Sequence, residues 1–308
     1  MRNARLIGIA GLAALAAAVA VAQTTVNPLP EQAATETAPI DAAAATPATD
    51  AVAELATTHW GDAQAGAAKA GACAACHGLD GNAMQQQAPR IAGMPERYLA
   101  TQLALFKANH RTTGLAPLMK PFADALSAQD MRDLGAHYAR QRSGATAAVD
   151  TVIEDPASPY AGMKFYEPGR DLYRRGNAQR GIPACTACHG PTGAGNPGPS
   201  YPHIGGQEAG YLARRLQEYR AGTTTQPNPV LFHQMAAVAK SLTDEEIASL
   251  ASYIQGLHDR ADQPNAEQIA AVKAAGPVAA PVLPGSAVAA PAPAEAPAAD
   301  AAPGTTLQ

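Results

Sequence analysis

The sequence predicts an all-α protein, a tandem repeat of two small helical units flanked by Ala/Pro-rich tails. Three observations predict it. A block of about 90–100 residues recurs, its landmarks offset by 112 to 116 positions. No run sustains the period-two alternation of a half-buried strand. All fourteen aromatic residues of the 308-residue chain lie between Trp60 and Tyr253, so a packed core belongs to the middle.

Along the chain, Arg2 and Arg5 precede an apolar run from Leu6 to Ala22. The run ends in Ala20-Val21-Ala22, a small-x-small cleavage pattern. Residues 1–22 therefore read as an export signal, which places the mature protein in a periplasm. Left uncleaved, the segment is at the short edge of what spans a bilayer and would tether the protein loosely to a membrane. Residues 23–58 are rich in Ala, Thr and Pro, lack aromatics, and read as a disordered spacer. The first unit is expected over 59–146 and the second over 162–260. Asp155-Pro156 and Ser158-Pro159 mark an extended linker at 147–161. Residues 261–308 carry eight prolines and read as a second disordered tail.

The repeat sets the elements inside each unit. Leu99, Leu103 and Phe106 recur as Leu212, Leu216 and Tyr219, spaced to share one helix face. Ser127-Ala128-Gln129-Asp130 and Thr243-Asp244-Glu245-Glu246 carry the capping-box signature of a closing helix. Met131, Leu134 and Tyr138 then match Ile247, Leu250 and Ile254, and are expected in the core.

The net charge of −4 disfavours a nucleic-acid partner. The acidity is concentrated outside the units. Residues 59–146 hold nine Lys/Arg against six Asp/Glu, and 160–260 hold ten against eight, so both working surfaces are mildly basic.

The four cysteines form two Cys-x-x-Cys-His motifs, Cys73-Ala74-Ala75-Cys76-His77 and Cys185-Thr186-Ala187-Cys188-His189. This is the attachment signature of c-type haem. Two thiols one helical turn apart add to the two vinyl groups, and the adjacent histidine comes under the iron. A zinc site would bring its cysteine pairs ~12–20 residues apart, not over a hundred as here. Two disulfides would leave the two histidines unexplained. Two covalently bound haem c groups are therefore expected, held by Cys73, Cys76, Cys185 and Cys188, with His77 and His189 as axial ligands.

Register points to the remaining axial ligands. Met119 and Met235 lie 116 apart, each seven residues before the leucine that precedes a closing helix, Leu126 or Leu242. His/Met ligation raises the reduction potential of such a haem and fills both axial sites. Of the other histidines, His233 lies nearest a ligand candidate, two residues before Met235. The carbonyls of Pro89 and Pro202, twelve and thirteen residues after the axial histidines, are placed to accept their Nδ1–H groups. Gly193-Ala194-Gly195-Asn196-Pro197-Gly198 fits a dinucleotide fingerprint, but no strand precedes it and a proline interrupts it, so it reads as a loop at a haem edge.

The two motifs, together with Arg90-Ile91-Ala92-Gly93 and His203-Ile204-Gly205-Gly206, Tyr98-Leu99 and Tyr211-Leu212, and Ser252-Tyr253-Ile254-Gln255-Gly256-Leu257-His258, resemble the dihaem cytochrome c4 family of bacterial periplasmic electron carriers over about residues 60–260. The resemblance implies two cytochrome c-like haem domains packed about a pseudo-twofold axis, with the haem propionate edges facing each other. It implies axial pairs His77 with Met119 and His189 with Met235. It also implies electron delivery from a quinol-oxidising bc-type complex to a haem–copper terminal oxidase, without enzymatic turnover. A dihaem peroxidase and a haem subunit of a larger respiratory complex are the rival readings. The long tails are not part of the family pattern.

Overall fold

The structure, a computed structural model, describes residues 51–83, 88–144, 146–259 and 266–278. The first unit holds α1 (Ala51–Glu54), α2 (Ala63–Lys69), α3 (Ala74–His77), α4 (Glu96–Lys107), α5 (Lys120–Asp124) and α6 (Ala128–Ala139). The second holds α7 (Glu167–Arg175), α8 (Thr186–His189), α9 (Ala209–Ala221), α10 (Val230–Ala239) and α11 (Asp244–Gln255). Among the described residues the only extended pairings are three isolated bridges, Val152 with Lys164, Asn177 with Ile182 and Asn196 with Tyr201.

Each unit is built on a crossing of its opening and closing helices. Asp62 caps α2 through the amides of Gln64 and Ala65. Ser127 and Asp130 form a capping box on α6, as Thr243 and Glu246 do on α11. Helix α2 packs on α6, and α7 on α11. The backbones touch at glycines. A methyl group at Gly66 would lie 2.0 Å from the Asp133 carbonyl oxygen, and one at Gly169 would lie 2.3 Å from that of Ser249. Ser249 reinforces the second crossing. Its Oγ accepts from the Gly169 amide at 2.7 Å and donates to the Phe165 carbonyl at 2.6 Å.

The expected core faces are buried. Met131, Leu134 and Tyr138 of α6 and Ile247, Leu250 and Ile254 of α11 are all inside. On α4 and α9, Leu99, Phe106 and Leu212 are buried, while Leu103, Leu216 and Tyr219 are partly covered.

The expected limits of the first unit need correction. Residues 51–58 were read as the end of a disordered spacer. They fold as α1 and a 3₁₀ turn, Leu55–Thr57, and Ala51 and Leu55 are buried against Ala100 and Ala104 of α4 and Met131 of α6. The small side chains of α4 leave a shallow groove that one leucine and one alanine, four apart, can cover. The export signal and the rest of that spacer lie outside the described residues.

The linker is extended but is not a free tether. The Val149 amide donates to Ser252 Oγ at 2.9 Å, Ser158 Oγ to Glu245 at 2.6 Å, and the Tyr160 hydroxyl to Glu246 at 2.6 Å. Residues 147–161 thus pack along α11 as part of the second unit. Within the expected tail 261–308, Ala266–Ala275 forms α12. That stretch lies between Pro264 and Pro277 and is alanine-rich, the composition that most favours a helix. Residues 279–308 lie outside the described residues.

The two units meet in reciprocal pairs. A methyl at Gly93 would touch the His203 ring at 2.7 Å, and one at Gly206 would approach the Arg90 guanidinium at 3.5 Å. Positions 90 and 203 match in the repeat, as do 93 and 206, so each contact has its mirror image. That is the mark of a two-fold axis.

The crossing is testable by adding one carbon. Gly66→Ala is expected to cost about 1–3 kcal/mol by overpacking. Gly71→Ala, with nothing within 4 Å of the added methyl, should stay within about 0.5 kcal/mol. Equal denaturation midpoints for the two variants, followed by circular dichroism, would refute the crossing contact.

Candidate functional site

Each Cys-x-x-Cys-His motif folds as one helical turn. In the first unit a 3₁₀ turn, Ala70–Cys73, runs into α3; in the second, Cys185 stands at the head of α8. Both turns are stopped by a glycine with positive φ, Gly78 at 78° and Gly190 at 76°. A side chain would strain that conformation. The spacing of three carries both thiols to one side of the turn, the first partly covered and the second exposed, in both units. None of the four is paired in a disulfide. The next residue turns inward, and His77 and His189 are only 6% and 7% exposed.

The imidazoles are oriented by carbonyls from the following loop. His77 Nδ1 lies 2.8 Å from the Pro89 oxygen, and His189 Nδ1 lies 3.1 Å from that of Pro202. Nδ1–H donates to the carbonyl, so Nε2 keeps its lone pair for a metal. Burial lowers the pKa of both rings, partly opposed by the carbonyl bond. Both are thus held neutral, as a ligand must be.

A tyrosine stands beside the first cysteine of each motif, but from different helices. Tyr138 of α6 belongs to the buried cluster against which Cys73 packs. In the second unit Tyr173 of α7 lies next to Cys185 and donates to the Gly190 carbonyl at 2.6 Å. Burial raises both thiols, Cys185 to about 11.

In the first unit His77 opens into a cleft of about 910 Å³ of empty space, its mouth included. The walls are largely apolar, with Ile91, Leu99, Leu103 and Phe106 among them. Met119, at the end of the 3₁₀ turn Ala116–Met119, lines the same cleft and packs on Phe106, Ala116 and Ala123. Met94 lines it too, buried among Ala70, Leu99, Leu134 and Tyr138. The Cys73 thiol, a neutral imidazole and a thioether line a large apolar slot, with the Cys76 thiol exposed on the same helical turn, and this set fits a haem c. In the second unit Met235 is half-buried on α10. It shares a helix face with the buried Phe232 and Ala239, and Phe232 meets Tyr219 of α9 at 5.1 Å between ring centres. His233 is exposed.

One feature of the first cleft was not foreseen. The second unit contributes Tyr211, Arg214 and Glu218 to its wall. Arg111 of the first unit donates to the Tyr211 hydroxyl at 3.1 Å. Burial would raise the Tyr211 phenol, but the cations of Arg111 and Arg215 outweigh it and lower its pKa. The matched positions of α4, Tyr98, Thr101 and Leu105, carry no charged side chain. That difference is visible in the aligned repeats. Its destination is visible only once the units are packed. The loop Gly193–Gly198 holds positive φ at Gly193 and Gly195, and its Ala194, Pro197 and Gly198 border a groove shared with Trp60 and Arg97 of the first unit.

The cytochrome c family model matches residues 63–140 and 166–258. Cytochrome c4 of Pseudomonas aeruginosa is 39% identical over 202 residues, covering 64% of this chain and 90% of the relative. A protein of Stutzerimonas stutzeri named thiosulfate dehydrogenase electron acceptor is 36% identical over 188 residues, covering 59% and 77%. Among solved structures, reduced recombinant cytochrome c4 from Pseudomonas stutzeri superposes with a TM-score of 0.53 at 36% identity, covering 64% of this chain and all of that one. Both units, not one, find their match in these proteins, and the chain belongs to the dihaem cytochrome c4 family, with a haem c held covalently in each unit.

Proposed function

We propose that this dihaem electron-transfer cytochrome works in the periplasm, taking electrons from a quinol-oxidising bc-type complex and passing them to a haem–copper terminal oxidase, with no substrate turnover of its own. The observation that carries the reading is the first cleft, which offers a neutral imidazole and a thioether sulfur to the same slot. Bound haem c supplies a one-electron Fe(III)/Fe(II) couple. His77 with Met119, and His189 with Met235, are the axial pairs in this proposal. Held so, the irons would have no open position for peroxide, and the methionines would favour the reduced state. No helix among the described residues is long and apolar enough to cross a membrane. The mildly basic units suit acidic docking partners, with association that weakens as salt rises.

A second donor has a specific observation in its favour. The relative from Stutzerimonas stutzeri is named as an electron acceptor of thiosulfate dehydrogenase. A thiosulfate-oxidising enzyme would then replace the quinol-oxidising complex on the donor side, with the same ligands and the same one-electron chemistry.

Two measurements decide these points. Met119→Ala and Met235→Ala should each abolish one methionine-to-iron charge-transfer band and lower one of the two potentials. A Met119 variant that keeps both bands would transfer the assignment to Met94, whereas an unmodified protein with a single band that Met235→Ala leaves unchanged would point to His233.

The kinetic test mixes the reduced protein with membranes containing a haem–copper oxidase, then offers the oxidised protein either a quinol-oxidising complex or thiosulfate with its dehydrogenase. Rapid oxidation followed by quinol-dependent re-reduction is the expected result. Re-reduction by the thiosulfate system alone would select the second donor. Peroxide turnover with a high-spin resting haem would overturn the carrier reading.

A further inference from the structure

We propose that Gln207 of the second unit is a positioning residue for His77 of the first, lowering the potential of the first haem by strengthening the carbonyl that its axial histidine donates to. The inference rests on His77 being that axial ligand. Gln207 lies at the unit interface, 2% exposed. Its side-chain amide pairs with the backbone of Arg90, 117 residues away, as a neighbouring strand would. Gln207 Oε1 accepts from the Arg90 amide at 2.8 Å, and Gln207 Nε2 donates to the Arg90 carbonyl at 2.8 Å. Oε1 also accepts from the Glu208 amide at 3.0 Å, which holds the side chain in this pose.

The Arg90 amide belongs to the same peptide unit as the Pro89 carbonyl. Resonance couples the two ends of that unit. Donation from its N–H pushes electron density onto its oxygen, and hydrogen bonds in series strengthen one another. That oxygen is the acceptor of His77 Nδ1–H at 2.8 Å. A stronger acceptor gives the imidazole more imidazolate character and makes it a better donor to iron. A better donor favours the oxidised state. Gln207 therefore acts on the iron of the other unit through two hydrogen bonds and one peptide bond. The same residue is tied to its own unit, because its amide donates to the Ile204 carbonyl at 3.1 Å.

The repeat shows that the device is built once. Position 207 matches 94, and Met94 makes the equivalent backbone bond to Ile91 at 3.3 Å. A methionine side chain has no amide with which to pair to a facing peptide. The first unit also shows that a methionine fits at this register position.

Gln207→Met in the intact dihaem protein is therefore the test, with the haems followed individually by NMR through a redox titration. The first haem should shift its oxidised-to-reduced ratio about threefold toward reduced at a fixed potential, about 28 mV at ~59 mV per tenfold for one electron. The second haem should stay in place. In the reduced state the His77 Nδ1–H resonance should move upfield and the Arg90 amide should exchange faster, while the His189 Nδ1–H stays put. Equal shifts at both haems would reduce Gln207 to interface packing, and no shift at either would overturn the proposal. If the variant does not fold, a through-hydrogen-bond coupling between the Arg90 amide nitrogen and the Gln207 side-chain carbonyl in the unmodified protein carries the test, and its absence overturns the proposal. Loss of the underlying ligand assignment has a different sign: the His77 ring of the unmodified protein would then show no hyperfine shift on oxidation.

Discussion

One helical turn ended by a glycine governs the chemistry of each half of this molecule. The turn carries two thiols to one side and a histidine inward, and Gly78 or Gly190 then bends the chain away from the helix axis at a φ that other residues avoid. The loop that follows must return with a carbonyl at Nδ1 of the buried ring. It does so at Pro89 and Pro202, whose missing amides leave no competing donor beside that carbonyl. The opening and closing helices support this geometry by packing at glycine contacts that leave no room for slippage.

The interface between the units belongs to the same system. Its reciprocal glycine contacts are symmetric, but its polar content is not. Arg111 reaches Tyr211, Arg214 and Glu218 face the first cleft, and Gln207 grips the peptide below His77. The matched residues Tyr98, Thr101, Leu105 and Met94 are mostly apolar or uncharged. The charged groups that the second unit brings to the first cleft thus have no charged counterparts at the matched positions of the first unit.

Local patterns in the chain carried the reading as far as local physics reaches. The helix faces of α4, α6, α9 and α11, both capping boxes and the two histidine–carbonyl bonds follow from spacing within a few turns or one loop. The opening helices α2 and α7 are only seven and nine residues long and offer too few turns for a repeating pattern to mark them. The folding of α1 against α4 escaped notice because alanine faces look like spacer composition. The linker's partners sit on α11, 86 to 103 residues away, and the Gln207–Arg90 pair spans 117 residues. Contacts of that range depend on how two finished units dock, which periodicity does not encode.

The tyrosines beside Cys73 and Cys185 bear on whether the two halves are interchangeable. They fill equivalent places from opposite ends of their units, Tyr138 from the closing helix and Tyr173 from the opening one. The position matched to Tyr138 is Ile254. The two units thus place a phenol near the first cysteine of each motif from different helices. They are not interchangeable parts. A chimaera that moved α11 into the place of α6 would leave Cys73 without a phenol, and one that moved α6 into the place of α11 would bring two to Cys185. Equivalent positions in the repeat therefore do not make the two closing helices equivalent parts.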